Sequence, residues 1–290
     1  MTRSSTLPCA CALSLAFAAL ALAQDAKTPT LPLEAKVGRV VEVEVEFRSV
    51  ETATVKDVDE GVTYTSREVS TESDRAVYLD RIEALRPKGD GALRRTQYVL
   101  SASASTRMET HDEENGKALP ADEPEETKTK SKLTSRHLLL EWKSPLESEI
   151  NVLGEPKVGA AWDVDSSLFA FELESYFPKT LPKDGKASGK DFLGRKTSEA
   201  FPGWPQELGM NAVAQVIGMA AAYGKQALKS VSWTVKQSPA AKGKGPSITY
   251  SVHVEIKASE GKGVSEALSV DLSARIELRA PSKTFPAPPK

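Results

Sequence analysis

Cysteine is absent from this sequence after residue 11. Cys9 and Cys11 both stand at the start of an apolar segment near the N-terminus. A disulfide, a thiolate metal site and a cysteine nucleophile are therefore excluded for residues 24–290. Lipidation of a cysteine is not expected, because the two cysteines do not follow that apolar segment. A disulfide-free chain of this length depends on a large hydrophobic core.

The net charge of the chain is also close to zero, and aromatic side chains are few. The chain has 38 lysine and arginine residues against 40 aspartate and glutamate residues, a net charge of −2. This balance lacks the basic surface that binds nucleic acid or docks on anionic lipid, so neither is an expected partner. Aromatic residues make up only 6% of the chain, which argues against a surface that stacks on carbohydrate rings.

Long apolar runs are limited to one N-terminal segment. Arg3 precedes the run Cys9–Leu22, and the small residues Ala21 and Ala23 are followed by polar Gln24. A basic start, a short apolar core and a small-residue exit are typical of a secretory signal peptide. The run is shorter than the roughly 20 residues that a membrane helix needs. We expect an exported protein, periplasmic or extracellular after cleavage near Ala23, with no transmembrane span in the mature chain.

Alternation of apolar and polar residues predicts that most of the chain forms antiparallel strands. The pattern is clearest in RVVEVEVEFR, residues 39–48, and continues more weakly to residue 58. The segment at 75–86 fits either a strand or a short helix. Further strands are predicted, in chain order, at 62–71, 92–108, 133–142, 150–153, 229–237, 247–258 and 264–279.

Two segments in the middle of the chain predict helices. Ser166–Phe177 is predicted as a short helix capped by Ser166 or Ser167, and Gly209–Leu228 as a longer one with an apolar stripe. The fold class predicted from these elements is α+β, mainly antiparallel β. The architecture is a large curved sheet or half-open barrel, with one or two helices covering its concave face.

Composition also predicts how the chain is organised. The predicted units are a signal peptide at 1–23, an extended leader at 24–37, a single β-rich domain at 38–280 with halves at 38–155 and 156–280, and a proline-rich tail at 281–290. Within the domain, residues 109–130 contain almost no apolar side chain. Since such a segment cannot bury enough surface to offset its backbone entropy, we predict a mobile, solvated loop there.

Three short segments resemble parts of uncharacterised secreted bacterial proteins. They are Tyr78–Ala84 together with Arg94-Arg95, Lys157–Trp162, and SVDLSARIEL in the closing strand. This resemblance implies a β-rich secreted protein and brings no activity with it. The predicted architecture is also similar in shape to the half-barrels of periplasmic lipoprotein carriers, an analogy of fold that does not assign a function.

Acidic residues and histidines offer few candidate sites. Residues Asp57–Gly61 resemble the start of a calcium loop, but the glycine comes one position early and strands flank it, which favours a hairpin turn. His111, His137 and His253 show no zinc-ligand spacing, so a metal or Ser-His-Asp site would need distant residues to converge. The nucleophile-elbow motif G-x-S-x-G is absent. The sequence therefore assigns no catalytic, cofactor-binding or metal-binding residue.

The four tryptophans are candidates for the lining of a ligand pocket. Trp142 and Trp233 fall in predicted strands beside apolar neighbours, which favours packing in the core. Trp162 is the third candidate. Trp204 follows Gly203 in a predicted turn and is the tryptophan that we expect to face a groove.

These features favour an exported, non-enzymatic envelope protein that binds a lipid, another apolar ligand or a protein partner. The alternative is a structural or assembly component of the cell envelope, with the acidic loop and the proline-rich tail as contacts. A hydrolase whose site is assembled from distant residues ranks third. No cofactor is expected.

The N-terminal pattern makes a direct prediction about processing. The mature protein should begin at Gln24, because Ala21 and Ala23 have the small side chains that signal peptidase requires. N-terminal sequencing of the protein purified from its own host measures this. Recovery of a chain that still contains Cys9 and Cys11 would contradict the predicted export.

Overall fold

The computed structural model describes residues 33, 35–86, 92–144, 147–154, 164–241, 244–260 and 264–289. The predicted signal peptide, most of the predicted leader and the segment that contains Trp162 lie outside the described residues. Their interpretation therefore stays a prediction.

Antiparallel strands form one open, curved sheet, which confirms the predicted α+β class. The sheet order is β7-β6-β3-β2-β1-β11-β10-β9-β8, and β4 and β5 both pair with β3. The bounds in chain order are β1 (Val40–Asp59), β2 (Val62–Leu85), β3 (Ala92–Glu114), β4 (Lys117–Ala118), β5 (Glu125–Lys130), β6 (His137–Ser144), β7 (Glu147–Val152), β8 (Gly185–Ser188), β9 (Leu228–Ser238), β10 (Ser247–Glu260) and β11 (Val264–Arg279). Because β1 pairs with β11, strands from both ends of the chain lie at the centre of the sheet.

Three α-helices lie between β8 and β9: α1 (Gly189–Leu193), α2 (Thr197–Ala200) and α3 (Gln206–Tyr223). The long helix is confirmed, but it ends at Tyr223 because Gly224 adopts a φ of 91°. Leu228 therefore begins β9 instead of ending the helix.

The short α-helix predicted at 166–177 is wrong. Two 3₁₀ helices, Ser166–Leu168 and Leu173–Tyr176, occupy this segment. The cap is also different, since the Asp165 carboxylate accepts a hydrogen bond from the backbone N–H of Ser167 at 2.9 Å. We call residues 164–177 the covering segment, because its buried Leu168, Phe169 and Leu173 pack against the sheet.

The loop predicted at 109–130 is also wrong for most of its length. Strand β3 continues to Glu114, and β4 and β5 pair with it. A tight turn joins β3 to β4 through Asn115 and Gly116, with φ values of 49° and 75°. The segment is nonetheless exposed, as expected, because it extends beyond the core. The ambiguous segment at 75–86 is part of β2.

The two faces of the sheet have different surroundings. The inner face carries Val43, Tyr78 and Val252 and packs against the covering segment and the helices. The outer face carries Glu42 and Glu44, which are buried beneath other polar side chains. Strand alternation therefore separates an apolar layer from a charged one, as the period-two pattern predicts.

A buried ion network connects the sheet to the covering segment. Arg95 on β3 is fully buried, and its guanidinium donates to Asp80 on β2 at 2.6 Å and to Glu174 in the covering segment. Arg39 donates to the other oxygen of Glu174 at 2.5 Å. Burial raises the pKa of the Asp80 carboxyl, and the positive charge of Arg95 opposes that rise. Each charge in the network therefore depends on its partners.

The proline-rich tail folds back over the outer face. The backbone N–H of Ser282 donates to Glu42 at 2.9 Å, and the ring of Phe285 lies 4.3 Å from the Arg81 guanidinium carbon. A ring nitrogen of His137 is 3.1 Å from the carbonyl oxygen of Pro286. Residues 281–289 thus cover the ends of β1, β2 and β6.

The network predicts very different effects for two adjacent arginines. Arg95→Met should lower the free energy of unfolding by about 3–5 kcal/mol, because Asp80 and Glu174 are left buried without their cation. Arg94→Met is the matched control: its side chain is 50% exposed and pairs with Glu141 at 3.8 Å, so its loss should cost less than about 1 kcal/mol. Urea denaturation of both variants measures the difference. Equal costs would show that the network contributes little.

Candidate functional site

A groove of about 780 Å³ lies between the inner face of the sheet and helix α3. Strands β2, β1, β11 and β10 form its floor, while α3 and the covering segment form its walls. The groove is open to solvent, since Met210 on its α3 wall is 48% exposed. The apolar side chains that line it include Phe47, Phe171, Trp204, Leu208, Tyr250 and Leu272.

A proline-bounded turn places Trp204 in the groove. Gly203 has a φ of 79°, which lets the chain turn sharply before α3. The Trp204 ring stacks on Phe201 with centroids 4.9 Å apart and meets Tyr250 in an edge contact at 5.0 Å. The Tyr250 hydroxyl donates to the carbonyl oxygen of Tyr176 at 2.9 Å. These contacts hold the aromatic end of the groove in one arrangement.

The floor of the groove changes character from strand to strand. Tyr250 and Val252 on β10 and Leu272 on β11 are apolar or aromatic, whereas β2 contributes Glu72 and Asp74. Phe47 on β1 pairs with Asp74 and separates the two parts. The groove therefore has an aromatic end over β10 and an acidic end over β2.

Carboxylates around the groove repel their neighbours. The pKa of Asp74 is raised by burial and by the negative charges of Asp165 and Glu72. The pKa of Glu207 on α3 is raised by burial and by Glu172. Within the described part of the chain, Glu72, Asp74 and Glu207 form no ion pair. The described residues therefore leave these charges without an ion-pair partner.

The tryptophan predictions can be compared with this geometry. Trp204 lines the groove, as its turn position predicts. Trp142 and Trp233 are 3% and 5% exposed and belong to the core, as their strand patterns predict. Trp233 also packs against β8 so closely that a Cβ at Gly185 would lie 2.2 Å from its ring.

The histidines do not lie in the groove. His253 is on the outer face, where one ring nitrogen is 2.8 Å from Asp271 and the other is 3.7 Å from Glu255. His111 lies beside Glu109, and His137 lies under the tail. No serine hydroxyl bonds to any of these rings among the described residues. The described positions also include no group of three or more potential metal ligands.

The calcium-like segment is a hairpin turn. Strand β1 ends at Asp59, Glu60 and Gly61 have φ values of 47° and 83°, and β2 begins at Val62. This is the two-residue turn that matches the twist of paired strands. The interpretation of the sequence as a turn is therefore confirmed.

Sequence reasoning missed the acidic residues of the groove. Asp74 stands two residues before Ala76 and four before Tyr78, so strand alternation carries it to the same face as these core residues. The signal available in the sequence was a carboxylate at a strand position where the alternation predicts an apolar residue. Asp165 and Glu207 come from distant segments, and no local pattern brings Asp165 to Asp74 or Glu207 to the groove.

Comparisons with known proteins give no family for this chain. No protein-family model matches the sequence, and the search of curated proteins finds no match. Among the described residues, no helix has the length and apolar character needed to cross a membrane. The groove is therefore the feature of this protein that points to a function.

The raised pKa of Asp74 predicts that this carboxylate destabilises the folded protein. Folding favours its protonated form, so stability is lost as the pH rises through the raised pKa. Asp74→Asn should raise the free energy of unfolding at neutral pH, by less than about 1 kcal/mol because solvent screens this partly exposed group. This gain in the free energy of unfolding should vanish near pH 3, about one unit below an ordinary carboxyl pKa, because Asp74 is then protonated in both the folded and the unfolded state.

Urea denaturation at the two pH values tests this. Asp271→Asn is the control, because Asp271 pairs with His253 on the outer face and its loss should not stabilise the protein. A loss of stability in Asp74→Asn at neutral pH would contradict the expected repulsion.

Proposed function

We propose that this protein binds an amphiphilic ligand and holds its apolar chain in the groove, without catalysing a reaction. The groove of about 780 Å³ carries this proposal. Its volume lies within the range of small-molecule sites, about 300–1,000 Å³. Its floor is apolar and aromatic over β10 and part of β11, and its open side admits a ligand from solvent.

The packing along β11 supports a binding role. Ile276 and Leu278 are fully buried, while Leu272 on the same face is only partly buried at the groove. Phe47 on β1 is likewise partly buried next to fully buried Val45. Apolar side chains that remain uncovered at a concave site favour a ligand that covers them.

The expected export of the chain suggests where the ligand comes from. An exported protein meets the lipids of the cell envelope, whose acyl chains are the apolar chains that such a groove accepts. We therefore propose an envelope lipid, or a lipid-modified molecule, as the ligand class. The shape analogy with periplasmic lipoprotein carriers agrees with this proposal without establishing it.

A structural role in the envelope is the second candidate. The far ends of β1, β2 and β3 extend beyond the core and are exposed on both faces. Such a projecting sheet offers area for a protein partner. Crosslinking in cells followed by pull-down tests this role, and a protein recovered without partners would count against it.

Narrowing the groove should weaken ligand binding. Ala170 lies in the covering segment and lines the groove, so Ala170→Trp should weaken binding of dodecyl maltoside by about tenfold or more. Ala222→Trp is the matched control, because Ala222 is exposed on α3 and outside the groove lining. Its affinity should stay within about twofold of the parent.

Titration calorimetry below the micelle-forming concentration measures both affinities. Mass spectrometry of an organic extract of the protein purified from its own host provides a second test. No bound amphiphile in the extract, together with no binding of dodecyl maltoside, would overturn the proposed function.

A further inference from the structure

We propose that the groove selects amphiphiles with a positively charged group next to the apolar chain and rejects anionic amphiphiles. This inference rests on the proposed function and adds the chemical class of the ligand. It follows from the position and sign of the charges around the groove.

The charges that line the groove are mainly negative. Glu72 and Asp74 extend from β2, Asp165 from the covering segment and Glu207 from α3. Arg48 is the one cation among the described lining residues. It follows Phe47 in β1 and therefore lies on the outer face of that strand. An anionic head group at the acidic end would meet Glu72, Asp74 and Asp165.

The same sign continues beyond the groove along the inner face. The pairing register places carboxylates there on all four central strands, at Glu51, Asp57, Glu68, Asp112, Glu114 and Glu266. No lysine or arginine occupies the inner face of β1, β2, β3 or β11 between Phe47 and the far strand ends. None of these six carboxylates forms an ion pair within the described part of the chain.

The outer face of the same strands is mixed in sign, since Glu109, Glu113 and Asp271 lie there beside basic residues. Arg48, Lys56, Arg67 and Arg107 alternate with the inner-face residues. Since the whole chain has a net charge of only −2, the negative potential of the groove comes from the local excess of carboxylates on the inner face and not from the total charge. A cation is therefore attracted to one face of the sheet.

The strand order positions both parts of such a ligand. The acidic end lies over β2 and the aromatic end over β10, three strand spacings away in the order β2-β1-β11-β10. With about 4.8 Å between strands, the two ends are roughly 14 Å apart. A ligand whose cation lies beside Asp74 can thus lay its chain over Phe47 and Leu272 toward Trp204.

A cationic group would also remove an unfavourable interaction. Asp74 lies close enough to Glu72 and Asp165 for their charges to repel it. A ligand ammonium among these carboxylates replaces that repulsion with attraction, in a partly buried site where solvent screens less than at the surface.

The test uses three probes that share a dodecyl chain and differ in head-group charge: dodecyltrimethylammonium, dodecyl maltoside and dodecanoate. Each is titrated into the full-length mature protein by calorimetry at neutral pH, below the micelle-forming concentration. Circular dichroism confirms that the protein stays folded. We expect the cation to bind about tenfold or more tightly than dodecanoate, which follows from several partly screened charge pairs.

A pair of double variants identifies the source of the preference. Glu72→Gln with Asp74→Asn removes two groove carboxylates, and the ratio of cation to anion affinity should fall to within about threefold. Glu46→Gln with Asp271→Asn removes two carboxylates from the outer face, so the net charge changes equally while the ratio should be retained.

The outcomes separate this inference from the proposed function. Binding of all three probes with equal affinity, or a preference for dodecanoate, would overturn the charge selection and leave the binding function in place. An equal loss of preference in both double variants would also overturn it, because net charge would then be the cause. Failure of every probe to bind would overturn both proposals.

Discussion

The buried ion network around Arg95 is the interaction on which the groove depends. The covering segment has little regular structure of its own, since it contains only two 3₁₀ helices. Its position is set by the bonds from Arg95 and Arg39 to Glu174, and by the amide of Gln97, which donates to the carbonyl oxygen of Phe169 at 3.1 Å. Together with the packing of Leu168, Phe169 and Leu173 in the core, these bonds fix one wall of the groove above the sheet.

The alternation of side chains along long strands explains the charge pattern of the molecule. A strand of twenty residues extends beyond the core, so its inner-face positions are apolar at one end and in solvent at the other. Val41, Val43 and Val45 give way to Glu51 and Asp57 on the same face of β1. The groove lies where the apolar part ends and the acidic part begins, which makes it suited to an amphiphile.

Local patterns predicted most of the sheet and much less of the site. Strands were recognised wherever apolar and polar residues alternate, as in β1, β10 and β11. They were missed at 109–130, where both faces are in solvent and alternation is absent, although Asn115-Gly116 is a strong hairpin signal. The short 3₁₀ helices and β8 were missed because their conformations depend on contacts with the sheet instead of local propensity.

The sequence by itself determined that the chain has no disulfide after residue 11, that it is mainly antiparallel β, and that Trp204 lies in a turn. These properties follow from composition and from interactions between near neighbours. Only the tertiary structure decided that Asp165 lies near Asp74, that Glu207 lines the same groove, and that Arg95 is buried with Asp80 and Glu174. Segments far apart in the chain supply these side chains, so the sheet order and the path of the covering segment determine which of them meet.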